Sequence, residues 1–205
     1  KNIILYFIRH CPPEISHYLT LKFLKTGLVS FFSKTPIYNQ VLRQVIWNIE
    51  FNNPVGLAAG FDKNGYVIDE ILKLGFGFTE IGTVTPRPQL GNTRPRIFRL
   101  DKDRALINNL GFNNEGSEKV SKRLLYRKHN RYINPGIIGI NIGRNAATKE
   151  IESDYIECLK KLGSYVDYIT INISSPNTPG LQELQKRDYL EQLIFSLKKI
   201  KNLNN

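Results

Sequence analysis

Methionine is absent from this sequence, and cysteine and histidine nearly so, with two and three copies among 205 residues. The lack of methionine, the initiator included, leads to the expectation of a fragment or a processed chain. Cys11 and Cys158 stand far apart without Cys-x-x-Cys spacing, which excludes a thiolate metal site and suggests a reducing compartment. His10, His17 and His129 have no ligand spacing either, so no metal is expected. Long apolar runs are missing too, and nothing approaches the roughly 18 residues of a membrane-crossing helix. Residues 1–9 are too short, and too charged at their end, for a signal peptide with a cleavage site. The length that remains suits one domain or two small ones.

Positive charge is plentiful: 29 Lys and Arg against 18 Asp and Glu give a formal net charge of +11. The densest cluster is Lys119, Lys122, Arg123, Arg127, Lys128 and Arg131, on a helix whose apolar members are Val120, Leu124 and Leu125. No helix-turn-helix, finger or RNA-binding signature accompanies it. A solvated helix face is therefore the preferred reading, and no nucleic-acid partner is expected. The charge suits a position near anionic lipid instead.

Four strand-loop units organise the chain. The first is Pro54-Val-Gly-Leu-Ala-Ala-Gly-Phe-Asp-Lys-Asn-Gly65, a short apolar strand opening into Gly60, Asp62 and Lys63, then a helix burying Val67, Ile68, Ile71 and Leu72. The second, Gly77-Phe-Thr-Glu-Ile-Gly-Thr-Val-Thr85, ends at the Pro86-Arg-Pro88 breaker. The third, Pro135 to Gly143, runs into Arg144 and Asn145 and is followed by a helix over Ile151 to Leu162. The fourth, Val166 to Ile173, breaks into Ser174-Ser-Pro-Asn-Thr-Pro-Gly180, with a helix from Asp188 to Ile200. Strands alternating with helices through short loops indicate parallel βα units, whose polar chemistry gathers at the carboxyl edge of the sheet.

Two segments break that rhythm. Residues up to about Lys34 read as amphipathic helix, restarting at Cys11-Pro-Pro13 with Glu14 in the first turn and placing Ile15, Leu19, Phe23 and Leu24 on one face. Residues 87–109 make a connection too long to be a plain link, and such loops are usually functional.

The motifs, long and in order, resemble the membrane-associated, quinone-dependent class of the dihydroorotate dehydrogenase family. Those that carry the resemblance are Asn53 to Lys63, Gly77 to Pro88, Arg94 to Leu100 with the hairpin it opens, Ile107 to Asn113, Gly139 to Asn145 and Asn172 to Gly180. The resemblance implies an α/β fold, a (βα)8 TIM barrel of which about the first four βα units are present. Residues 1–40 would be a helical quinone- and membrane-associated segment, and 41–205 the first half of the barrel. It implies FMN-dependent oxidation of dihydroorotate to orotate in pyrimidine synthesis, with quinone as acceptor. Ala59, Gly60, Phe61, Asp62, Lys63, Thr83, Asn141 and Asn172 match cofactor positions. Lys63, Asn108, Asn109, Leu110, Gly111, Phe112, Asn172 and Asn177 match substrate positions. Ser175 matches the catalytic base, where the soluble class has cysteine. His17, Phe23 and Arg99 are quinone-site candidates. Gln182 departs from the family's arginine. The implied location is peripheral, on the cytoplasmic side of the inner membrane or on the mitochondrial inner membrane. The rival readings are the soluble class, a dihydrouridine synthase, or a half-barrel without catalysis.

The residue types suit that chemistry. A serine is a poor base in water, so Ser175 needs positioned hydrogen bonds and exclusion of solvent, with Thr178 as a candidate partner. Asparagine offers donor and acceptor together, which fits the amide edge of orotate. Lys63 supplies positive charge where an oxygen gains negative charge. A whole barrel takes roughly 250 residues, so this chain alone is expected to bind FMN weakly, to lack turnover, and to leave the strand faces of Ile169, Ile171 and Ile173 open. Deleting residues 1–34 should spare flavin reduction but impair reoxidation by quinone and weaken binding to anionic vesicles. Stopped-flow kinetics and vesicle sedimentation check this, and unchanged quinone kinetics would contradict it.

Overall fold

The computed structural model describes residues 10–28, 40–130, 136–148, 150–176 and 181–203. In chain order these form α1 (Pro13–Lys25), β1 (Gln44–Ile46), β2 (Ile49–Phe51), β3 (Gly56–Leu57), α2 (Ile68–Lys73), β4 (Phe78–Val84), β5 (Ile97–Leu100) and β6 (Ala105–Asn108). There follow α3 (Ser117–His129), β7 (Ile137–Ile142), α4 (Ile151–Leu162), β8 (Tyr168–Ile171) and α5 (Arg187–Leu203). Strands β3, β4, β7 and β8 lie side by side in that order, all parallel. The four expected βα units are therefore present, with α4 at the expected bounds.

Successive side chains in a strand point to opposite faces, and here the two faces differ in kind. Ile81 and Val84 of β4 and Ile138, Ile140 and Ile142 of β7 point to the helical layer, where Val120, Leu124, Tyr155, Cys158, Leu162, Leu193 and Leu197 meet them. Burying one such aliphatic side chain contributes about 1.5–3 kcal/mol, so this layer is the main source of stability. Ile169, Ile171 and Ile173 pack against the same cluster. That corrects the expectation that they line an open face. The opposite face carries Glu80, Asn141, Thr170 and Asn172, joined by hydrogen bonds.

Register makes this polar face possible. Gly139 of β7 stands between Glu80 and Tyr168 on its neighbours, and a Cβ there would come within 2.1 Å of the Tyr168 ring. Ile81 pairs with Ile140 but Val84 with Ile142, a bulge at Gly82 and Thr83. Gly82 has φ +111°, and a Cβ on it would lie 2.3 Å from the Asn141 carbonyl oxygen. The bulge brings Thr83 beside Asn141, as re-aimed residues at bulges commonly are.

Helix α1 begins at Pro13 with Glu14 in its first turn, as the sequence predicts. Its faces differ from the expected ones. Leu24 is buried against Val67 and Ile71 with Leu21 beside it, whereas Ile15, Leu19 and Phe23 stay about half exposed. The docking face is selected by polar contacts as well as apolar ones. Arg96, only 4% exposed, donates Nε and Nη2 to Glu14 Oε1 at 3.1 and 2.8 Å and Nη1 to the carbonyls of Leu90 and Asn92 at 2.6 and 2.9 Å. Arg94 Nε lies 2.9 Å from the other Glu14 oxygen. The end of the expected helical stretch, residues 29–34, lies outside the described residues.

The basic cluster on α3 is not simply solvated. Arg123 pairs with Glu115 and lies 4.3 Å over the Tyr66 ring, and Arg127 pairs with Asp69 at 2.9 Å. These guanidiniums bolt α3 to the segment around α2, while Lys122 pairs within the helix with Glu118. The β1–β2 hairpin was not legible in the sequence. It turns at Trp47 and Asn48, at φ 52° and 61°, the positive pair that a two-residue turn of this kind needs. Asparagine favours that conformation and tryptophan does not.

Burial opposes ionisation of Glu14, but the hydrogen bond and charge of Arg96, with the charge of Arg94, outweigh it and hold the carboxyl below its usual range. Arg96→Ala should destabilise the fold by about 2–4 kcal/mol, since it strands a carboxylate and two carbonyls. Because the folded pKa is depressed, the Glu14 contribution is complete above about pH 4.3, the unfolded value, and is lost as pH falls further. Urea unfolding at pH 7 and pH 4 checks both, with the wild-type to variant gap narrowing at the lower pH.

Candidate active site

The carboxyl ends of the four parallel strands place most of the expected residues on one edge. After β3 the chain turns through Gly60, at φ +109° with open space where a Cβ would stand. Gly60 N–H donates to the Gly82 carbonyl at 2.9 Å, tying this loop to the β4 bulge. Lys63 Nζ donates to the Gly60 carbonyl at 2.7 Å. Burial lowers the Lys63 pKa, and the charge of Arg96 lowers it further against the opposing pull of Glu14. Asp62 is almost wholly buried, its carboxylate accepting from the N–H groups of Tyr66 and Val67, both at 2.8 Å. Burial raises its pKa despite those bonds. Its carboxylate thus shapes the loop that carries Lys63.

Thr83, Asn141 and Asn172 form a triangle across β4, β7 and the end of β8. Thr83 Oγ1 donates to Asn141 Oδ1 at 2.6 Å. Asn172 Nδ2 donates to Thr83 Oγ1 at 3.0 Å and to Asn141 Oδ1 at 3.1 Å. The Asn172 backbone is held by its N–H to the Ile142 carbonyl at 2.9 Å and by the Tyr155 hydroxyl on its carbonyl at 2.8 Å. Ser174 and Ser175 follow directly, and Ser175 is half-buried. Asn177 and Thr178 lie outside the described residues.

The segment Asn108 to Phe112 is fastened to the same edge by polar side chains. Asn92 Nδ2 donates to Asn109 Oδ1 at 2.7 Å, Asn92 N–H to the Leu110 carbonyl at 3.0 Å, and Gln89 Nε2 to the Gly111 carbonyl at 2.9 Å. Phe112, at φ 52°, packs on the main core. Asn108 ends β6, paired with Ile97. Thr85, Gln89 and Asn114, with Asn145 from the third unit, complete the frame. Thr85 Oγ1 accepts from Asn114 and Asn145 at 2.9 and 3.0 Å, and Asn145 also donates to Gln89 Oε1 at 2.9 Å. Glu80, a polar residue inside an otherwise apolar strand, was a signal in the sequence that went unread, and its carboxylate accepts from Asn141 Nδ2 at 3.0 Å.

The quinone candidates divide. His17 Nε2 lies 2.6 Å from the Phe61 carbonyl, and its ring meets Phe61 edge to face at 5.3 Å. A carbonyl only accepts, so Nε2 carries the proton. Arg99 Nη1 donates to the Cys11 carbonyl at 2.6 Å and Nη2 to Ser16 Oγ at 3.2 Å. Both therefore sit on the docking side of α1, while Phe23 is on its half-exposed side.

The dihydroorotate dehydrogenase family model matches residues 41–203. The chain belongs to the dihydroorotate dehydrogenase family. It is 51% identical over 194 residues to dihydroorotate dehydrogenase (quinone) of Coxiella burnetii, covering 91% of this chain and 53% of that one. To the mitochondrial dihydroorotate dehydrogenase (quinone) of Cyclocybe aegerita it is 48% identical, covering 92% of this chain and 56% of that one. The chain thus spans about half the length of the curated relatives it matches. The crystal structure of ligand-free DHODH from Eimeria tenella superposes at TM-score 0.84 with 42% identity, over 92% of this chain and 52% of that one. The complex of that DHODH with ferulenol gives the same TM-score. The parallel sheet is therefore part of the family's TIM barrel.

His17 is held neutral by burial, which lowers its pKa against the Phe61 hydrogen bond. With the folded pKa depressed, the contribution of His17 is complete above the unfolded value of about 6.5 and falls as pH drops below it. Amide exchange in α1 should therefore speed up between pH 7 and pH 5.5. His17→Gln, which keeps a donor without the titration, should flatten that dependence, and an equal acceleration in the variant would contradict it.

Proposed function

We propose that this chain supplies the cofactor- and substrate-holding strands of an FMN-dependent, quinone-linked dihydroorotate dehydrogenase, which oxidises dihydroorotate to orotate in pyrimidine synthesis. The observation that carries the reading is the Thr83–Asn141–Asn172 triangle at the carboxyl ends of adjacent parallel strands. A flavin ring fits these residues. It needs amide-reading groups along its edge, a cation near its carbonyls, and backbone that can approach closely. The triangle offers the first, Lys63 the second, and the side-chain-free space at Gly60 the third. Ala59, Gly60, Lys63, Thr83, Asn141 and Asn172 would hold it, with Phe61 and Asp62 shaping the loop beneath. Bound FMN supplies the two-electron acceptor for the hydride that leaves the substrate ring.

The chain's own residues do the rest. Asn108 to Phe112, Asn172 and Asn177 bind the amide and carboxylate edges of the substrate, and the Asn92 and Gln89 bonds pre-order that loop. Pre-ordering matters because orientation is a large part of catalysis. Lys63, its ammonium destabilised by burial and by Arg96, gains most when a neighbouring oxygen becomes negative. Ser175 takes the proton from the carbon beside the substrate carbonyl. Quinone approaches along α1, where Ile15, Tyr18, Leu19 and Phe23 present an exposed apolar face. Among the described residues no helix is long and apolar enough to cross a membrane, and that face suits a peripheral position on the inner membrane.

In the flavin-loaded holoenzyme, Ser175→Ala should slow flavin reduction by dihydroorotate at least about 100-fold while leaving FMN bound. Anaerobic stopped-flow absorbance checks this. Reduction at the parental rate would contradict the assignment, and failure of the parent protein to hold FMN would contradict the whole reading.

A further inference from the structure

Glu80 lies in the middle of β4 on the polar face, deeper along the strand than Thr83. Its partners are neutral donors: Asn141 Nδ2 on Oε1 at 3.0 Å and Thr170 Oγ1 on Oε2 at 2.8 Å. A glutamine would fill the same volume without the charge. The difference between the two is directional. An ionised carboxylate only accepts, whereas a carboxamide can be read either way round.

That difference runs through the triangle. With an acceptor beneath it, Asn141 must turn its NH2 down and its Oδ1 up. Oδ1 then accepts from Thr83 Oγ1 and from Asn172 Nδ2. Thr83, having donated, offers its lone pair to Asn172 Nδ2 as well. Asn172 Nδ2 is thereby held by two acceptors at 3.0 and 3.1 Å, and Asn172 Oδ1 is turned to Ser174, whose N–H and hydroxyl donate to it at 3.3 and 3.4 Å. One fixed acceptor thus orients four groups in series.

We infer that Glu80 is a positioning residue whose acceptor-only carboxylate sets the amide direction of Asn141 and, through Thr83, fixes that of Asn172, with Nδ2 toward the strands and Oδ1 toward Ser174. The link to catalysis rests on the flavin and substrate reading above; the orientation itself does not. Thr170 holds the carboxylate in place, and Gly139 leaves room for the Tyr168 ring beside it.

The test compares Glu80→Gln and Glu80→Asp with the parent in three measurements. Side-chain amide exchange of Asn141 and Asn172, followed by NMR with selectively labelled asparagine in flavin-free protein, reads the orientation directly. Glu80→Gln should accelerate exchange of the Asn172 amide protons, and in the holoenzyme it should slow flavin reduction by about 10–100-fold, the usual scale for residues supporting a site from behind. Its Tm should stay within about 4 °C of the parent, and Glu80→Asp, still acceptor-only, should recover most of the rate. Unchanged exchange and reduction in Glu80→Gln would overturn the inference. So would equal losses of rate and Tm in both variants, which would mark a purely packing role. Protected amides that loosen in Glu80→Gln, in a parent that binds no FMN, would uphold the orientation while removing the flavin reading.

Discussion

The two-residue period of β4, β7 and β8 is the constraint on which the rest of the structure depends. It sends Ile81, Ile138, Ile140, Ile142, Ile169 and Ile171 to the helices, and by the same geometry sends Glu80, Asn141 and Thr170 the other way. Neither face could be changed alone. A one-residue slip would put the carboxylate among the isoleucines and the isoleucines at the site. The bulge at Gly82 and Thr83 is a local exception that adds a further polar group to the face without disturbing the apolar one.

The N-terminal helix is coupled to that frame by charge. Glu14 accepts from both Arg94 and Arg96, and Arg96 also clamps the carbonyls of the loop ahead of β5. Arg96 and Glu14 are in turn the two charges that bear on Lys63. Docking of α1 therefore reaches the site electrostatically, because removing Glu14 would leave Lys63 facing Arg96 with no compensating charge. His17 on the Phe61 carbonyl adds a second tie to the same loop. The exposed apolar face of α1 and the Lys63 ammonium are thus parts of one arrangement.

Much of this was legible because strand-loop punctuation is a local property. The strand ends at Thr83, Asn141 and Asn172, and the helices from Ile151 and after Asp188, follow from apolar runs interrupted by Gly, Pro and Asn. What escaped reading depends on partners distant in sequence. Helix periodicity alone could not tell that Leu24 would be buried while Phe23 was not, since Val67 and Ile71 decide it. The clamp role of Arg123 and Arg127 needs Glu115, Tyr66 and Asp69 in place. Trp47 hid a hairpin turn that its own preference opposes. Asp62, read as a cofactor residue, has its carboxylate committed to the Tyr66 and Val67 amides.

The central claim is that the triangle of Thr83, Asn141 and Asn172 reads a flavin edge. The most direct measurement is titration of FMN into flavin-stripped protein, followed by quenching of flavin fluorescence, for the parent and for Thr83→Val and Asn172→Leu. The account predicts saturable one-to-one quenching in the parent, of low affinity for this chain alone, and weakened at least about tenfold further in each variant, as loss of buried hydrogen bonds to a ligand should do. Quenching that is absent in the parent, or equally tight in all three proteins, would contradict it.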